Sequence, residues 1–219
     1  SLLASLEFSK KRLSEEAQEM LHLVAVVGHG FDFDLLDTAW GKGEEASLEV
    51  LDDLLRHRLI DEATGAIDRD YAFTHHKIQE VIYQALPGPR RQNLHALVGT
   101  TMEQLYGAQS AASELAFHFD HARRSNETLL KKTVTYLRIA GEQAAAQHAN
   151  SEAASYFGRA LELIPEVDAF EWVDERYRLL LAQEKVYVSV RGESIRISPH
   201  VYNDDQDIDR LFGVLEKID

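Results

Sequence analysis

The sequence predicts a mainly α fold: a winged helix of three helices and a β-hairpin, then tetratricopeptide-like antiparallel helices, then a short ββα tail. Three observations carry this. Apolar residues recur at helical spacing over most of the chain, the period shifts to alternation near residues 59–73, and it shifts again near residue 184.

The first helix is predicted near 15–27. Ser14 can cap it, Glu15 and Glu16 sit favourably at the positive end of the dipole, and Leu13 is placed as a staple. Met20, Leu21, Leu23, Val24 and Val27 form its apolar face until Gly28 and Gly30 break it. A short helix starting at Phe31 and Phe33 should end at Gly41 and Gly43, and a third should turn Leu48, Val50, Leu51, Leu54, Leu55 and Leu59 inward. Leu59 to Glu62 and Ile67 to Phe73 then alternate around a polar turn at Thr64 and Gly65, which reads as a hairpin. Three short helices and a hairpin make the winged-helix plan, a variant of helix-turn-helix. A helix from about His75 to Leu86 should stop at Pro87, Gly88 and Pro89.

Beyond that punctuation the pattern is helical. RRQNLHALVGTTMEQLYG and AASELAFHFDHA each predict a helix, and a longer one covers about 128–148, where Ala140, Ala144, Ala145 and Ala146 allow close approach of a neighbour. Asn150 or Ser151 should cap another, which contains Ala153, Phe157 and Ala160 and ends at Pro165. Small residues alternating with aromatics on paired helices suit stacked helical repeats. In the tail, Val186, Tyr187, Val188 and Val190 read as one strand, Gly192 as a turn, Ile195 and Ile197 as a second strand, and about 205–218 as a helix. The expected domains are 1–97, 98–184 and 185–219.

Charge and composition exclude several function classes. Lys and Arg number 23 against 37 Asp and Glu, a net charge of −14, and so acidic a surface repels phosphate backbones. The third helix, which would read a DNA groove, carries Glu44, Glu45, Glu49, Asp52 and Asp53, so nucleic acid is not an expected partner. The absence of cysteine excludes disulfides and thiolate chemistry and fits a reducing cytosol; no membrane span or signal segment is expected. His118 and His121 lie at i and i+3 around Asp120, but no further ligand stands at a recognisable spacing, so packing is expected rather than a metal site. No GxxxxGK[ST], HExxH, GxSxG or GxGxxG motif occurs, and no catalytic residue is expected.

RLSEEAQEMLHLVAVVGHGFDFDLL, LEVLDDLLRHRLI, YAFTHHKIQEVIYQALP with RRQNLHALV, and ANSEAASYFGRALELIP occur in that order. With them, residues 10 to about 165 resemble the portion following the nucleotide-binding core in signal-transducing ATPases with numerous domains, especially bacterial regulators of the adenylate-cyclase-associated and LuxR-like type. The resemblance implies a noncatalytic regulatory segment that docks on a nucleotide-binding domain of the same or a partner chain and recognises a protein or peptide. It further implies that His75 reaches the β-phosphate of ADP held by that core, with Thr74 and His76 where the family often has Met and Asp. ATP or ADP would thus be the cofactor of the parent protein. A second string, VYVSVRGESIRISPHVYNDDQDIDRLFGVLEKI, is similar to the C-terminal end of class V pyridoxal-phosphate-dependent aminotransferases and cysteine desulfurases. That resemblance implies the alternative of a fragment or fusion of such an enzyme, with pyridoxal phosphate as cofactor and Arg196 gripping the substrate carboxylate as a bidentate fork.

Overall fold

The structure is a computed structural model that describes residues 12–28, 30–63, 69–123 and 126–163, the backbone of Ser189–Arg191 and Ser194–Arg196, and residues 206, 209, 212 and 213. It is mainly helical, with a small three-stranded antiparallel sheet. The chain divides into two compact units, one formed by Ser1–Ala111 and His121–Arg124, the other by Ala112–Asp120 and Ser125–Asp219.

The first unit begins with α1 (Glu15–Val27). Ser14 Oγ accepts the Ala17 N–H at 3.0 Å, as a capping serine should. Leu13 is buried, yet the residue four places into the helix is Gln18, whose side-chain amide donates to the Leu13 carbonyl, so a polar bond stands where a staple would be. Ala17, Met20, Leu21 and Val24 are fully buried, and α1 packs against four other helices of its unit.

After α1 the structure departs from the sequence expectation. Gly30 and Phe31 form a strand, β1, and α2 starts only at Phe33 (Phe33–Trp40). Phe31 is fully buried, stacked on Tyr71 and edge-on to Phe73, so the sheet takes it from the helix. Two paired residues are too short a run for alternation to reveal. Helix α2 ends at Gly41, whose φ of 69° needs the left-handed region and whose N–H returns to the Asp37 carbonyl.

Helix α3 (Glu44–Arg56) ends without a glycine. Leu59 N–H bonds the Leu54 carbonyl, Arg58 N–H bonds the Leu55 carbonyl, and Arg58 takes the left-handed turn at φ 53°. Strands β2 (Ile60–Glu62) and β3 (Tyr71–Phe73) pair antiparallel with Ile60 opposite Phe73, and β3 also pairs β1, giving the order β1-β3-β2. Thr64, Gly65 and Ile67 lie outside the described residues.

Helix α4 (His76–Ala85) leads into α5 (Gly88–Ser110). Gly88 and Pro89, expected as terminators, instead open α5: a proline in the first turn gives up no hydrogen bond, because N–H groups there have no helical partner. Within α5, Gly107 sits at φ 75°, ψ 167°, a region essentially restricted to glycine, and kinks the helix.

Helix α6 (Ala112–Ala122) spans the division between the units. In the second unit α7 (Glu127–Ala146) is capped by Asn126, whose Oδ1 accepts the Leu129 N–H, and Gln147 to Ala149 join it to α8 (Asn150–Leu163). Asn150 and Ser151, expected as caps, lie inside α8, which already bonds from the Ala149 carbonyl to the Ala153 N–H. The close approach also differs. Ala140 and Ala144 are buried, but Ala146 is exposed, and the tightest contact is Gly141, where a Cβ would lie 2.5 Å from the Phe157 ring. In the tail, β4 (Ser189–Arg191) and β5 (Ser194–Arg196) form an antiparallel hairpin. Val186 to Val188, Gly192, Ile197 and most of 205–218 lie outside the described residues.

Candidate functional site

Helix α4 meets the sheet through Thr74. Its N–H donates to the Leu59 carbonyl and its hydroxyl to the Arg58 carbonyl, which fixes the chain leaving β3. His75 follows at the N-cap of α4, extended at φ −143°, with its imidazole exposed and making no capping bond. The Ile78 N–H bonds the His75 carbonyl, and Gln79 anchors the helix to the Ala25 carbonyl of α1 at 2.8 Å. An imidazole beside the first N–H groups of a helix can share an anion with them.

Behind this surface the hairpin is tied to α2 by an exchange of acids. Asp70 Oδ2 accepts the Phe33 N–H at 2.8 Å, capping α2 in place of Asp32, which holds the N-cap position but makes no capping bond. Asp32 instead accepts from Arg69 at 2.6 Å and from the Tyr106 hydroxyl at 3.0 Å. A second polar cluster joins α4 to α5. The His95 ring, 1% exposed, is 2.9 Å from the Tyr83 hydroxyl and stacks on His121 at 4.8 Å. Burial raises the Tyr83 phenol above its ordinary value, and nearby Arg91 partly opposes this.

Helix α3 presents Glu44, Glu45, Glu49 and Asp52 to solvent, and Leu48, expected inward, is exposed among them because it lies off the face that Val50, Leu51 and Leu54 turn inward. Asp53 is half-buried against His57 instead. Ser47, a buried hydroxyl on the opposite side, bonds Asp37 at 2.7 Å and attaches α3 to α2.

A cavity of about 280 Å³ opens between α1, α2 and α5, lined by Glu19, Leu23, Trp40, Arg90, Asn93 and Leu97 among others. Lys42 lies 4.5 Å over the Trp40 ring and donates to both Glu16 and Glu19, which raises its pKa through the Glu16 bond first and the Glu19 bond after it. Trp40 Nε1 is buried without an acceptor among the described residues.

In the second unit, His118 is buried edge-on to Phe117, the packing role its position on α6 suggested. Asp120 is gripped by both nitrogens of an Arg159 fork, each at 3.1 Å, and Arg159 also reaches Glu162. The Asp120 bond is the largest of the effects that raise the Arg159 pKa, with burial opposing. Sequence reading missed this pair because its members stand 39 residues apart. Among the described residues no group of three histidines or acids is placed to hold a metal. Arg196 lies in β5 with its backbone opposite Ser189, away in sequence from His75 and on the other unit.

No helix among the described residues is long and apolar enough to cross a membrane. Comparison with protein-family models, with curated proteins and with solved structures gave no match.

Proposed function

We propose that the chain is a noncatalytic regulatory and interaction segment of a multidomain signalling ATPase. In this reading its first unit is a winged helix that docks on a nucleotide-binding core, and tetratricopeptide-like helices of the second take a protein or peptide partner. One observation supports the reading most: the order α1-β1-α2-α3-β2-β3, with a sheet ordered β1-β3-β2, suits a winged helix as a variant of helix-turn-helix. The glycine-mediated contact of α7 with α8 supports the helical-repeat half.

The mechanism rests on His75. Exposed at the first turn of α4, it would meet the β-phosphate of ADP on the docked core and hold the closed, inactive state. The acidic outer face of α3 suits protein docking better than a DNA groove.

The chain alone should show no thermal shift with ADP or ATP, since the site belongs to another domain; a saturable shift at micromolar nucleotide would overturn the docking reading. In protein carrying the nucleotide-binding segment, His75→Ala should lower retained ADP, and unchanged retention would remove His75 from the mechanism.

A second reading is a fragment or fusion of a class V pyridoxal-phosphate enzyme. The β4–β5 hairpin, with Arg196 on its second strand, favours it. Pyridoxal phosphate would then give the absorbance of a lysine aldimine on this chain, and an unchanged spectrum would discard the reading.

A further inference from the structure

The cavity between α1, α2 and α5 plays no part in the proposed function, and its chemistry is divided. On the α1 side the lining residue Glu19 shares a single cation, Lys42, with Glu16, so one acid is in excess. On the α5 side stand Arg90 and Asn93, one helical turn apart and exposed. Neither makes a side-chain hydrogen bond or ion pair with another described residue. Among the described residues several other cations are matched, Arg69 to Asp32, Lys77 to Glu80, Arg138 to Glu142 and Arg159 to Asp120. In the same lining Leu23 is buried, Leu97 remains 41% exposed, and Trp40 contributes an aromatic ring.

Size narrows the ligand. About 280 Å³ lies at the lower edge of the roughly 300–1,000 Å³ typical of small-molecule pockets, which is too small for a nucleotide and sufficient for one amino acid. A site lined by an unmatched cation on α5, an acid in excess on α1 and apolar residues from α1, α2 and α5 complements a zwitterion with an apolar branch. We infer that this cavity binds a free α-amino acid with an aliphatic side chain. Its carboxylate lies on Arg90 and Asn93, its ammonium at Glu19, and its side chain against Leu23, Leu97 and the Trp40 ring. Both ion pairs are open to water, so the expected affinity is modest, on the order of 0.1–1 mM. The inference is independent of the docking role of His75.

Trp40 supplies the signal, since the chain has two tryptophans and Trp172→Phe leaves Trp40 as the sole indole. L-leucine titrated into that variant should change the fluorescence saturably, and it should raise the melting temperature of the unaltered chain. N-acetyl-leucine removes the ammonium and leucinamide the carboxylate, so each should bind at least about 10-fold more weakly. Arg90→Gln should weaken leucine binding as much while leaving the ligand-free melting temperature unchanged, because Arg90 holds nothing in the fold. No saturable response in either measurement up to about 20 mM leucine, equal binding of either blocked analogue, or full affinity in Arg90→Gln would each overturn the assignment.

Discussion

The first unit and the α7–α8 hairpin are held together by different physics. In the first, short strands and helices are fixed by polar bonds between residues far apart in the chain: Asp70 to the Phe33 N–H, Asp32 to Arg69 and Tyr106, and Gln79 to the Ala25 carbonyl. In the hairpin, two long helices meet through apolar faces, and where Gly141 faces Phe157 the approach has room for a hydrogen and no more. A three-stranded sheet with strands of two or three residues buries little apolar surface of its own, so directional bonds must set its register. Two helices with long apolar stripes need only shape.

Phe157 is the largest single element of the hairpin's fit. Phe157→Ala should cost about 3–5 kcal/mol, since it empties a fully buried site. Gly141→Ala should cost about 1–3 kcal/mol by overpacking, less the gain of about 0.5–1 kcal/mol for alanine within a helix. The double variant should lose less than the sum of the two, because the new methyl enters the space the ring leaves. Denaturant titration of the three variants measures this, and strict additivity would mean that shape does not set this contact.

In the first unit the corresponding change is polar. Asp32→Ala should cost about 1–3 kcal/mol, as Arg69 and the Tyr106 hydroxyl lose their acceptor in a partly buried place. Hydrogen exchange should show faster opening of β1 and β3 with α7 and α8 unchanged. A cost as small as that of an exposed ion pair, under about 0.5 kcal/mol, would place the sheet's stability in its apolar contacts instead.

The smallest effect is common to both regions. Burial raises the phenol pKa of Tyr71 and Tyr83 in the first unit and of Tyr156 in the second, and neighbouring acids add to the shift at Tyr71 and Tyr156. A raised folded value means stability that is fully present below the unfolded value of about 10 and is lost as pH rises through the folded values. Melting temperature should therefore hold to about pH 10 and fall beyond it, while phenolate absorbance of the native protein lags behind that of the denatured chain. A native titration overlying the denatured one would contradict the burial of these rings.

Residue by residue, the local features were readable in advance. Ser14 caps α1 through a bond three residues long, Gly41 ends α2 by its own φ, and periodicity places most of the buried faces of α1, α3 and α8, with Leu48 of α3 the exception. Each needs information from only a turn or two of chain. Features that misled the reading have partners elsewhere. Phe31 leaves the helix for a strand because Tyr71 and Phe73 receive it, Arg58 ends α3 where a glycine was absent, and Gly88 with Pro89 starts a helix at a site that looked like a stop.

The candidate sites divide along the same line. His75 could be placed at a helix start from sequence, because a hairpin followed by renewed periodicity marks that boundary. The cavity could not: Glu19, Trp40 and Arg90 belong to three helices and share no spacing. By itself the sequence determined the helices, the main hairpin, the acidic face of α3 and the absence of cysteine chemistry, all consequences of composition and short-range period. Only the tertiary structure decided the third strand, the crossed roles of Asp32 and Asp70, the Arg159 fork on Asp120 and the seat of Phe157 on Gly141. Those contacts join residues 16 to 74 positions apart, and no local energy term distinguishes such a partner from any other residue until the chain has folded.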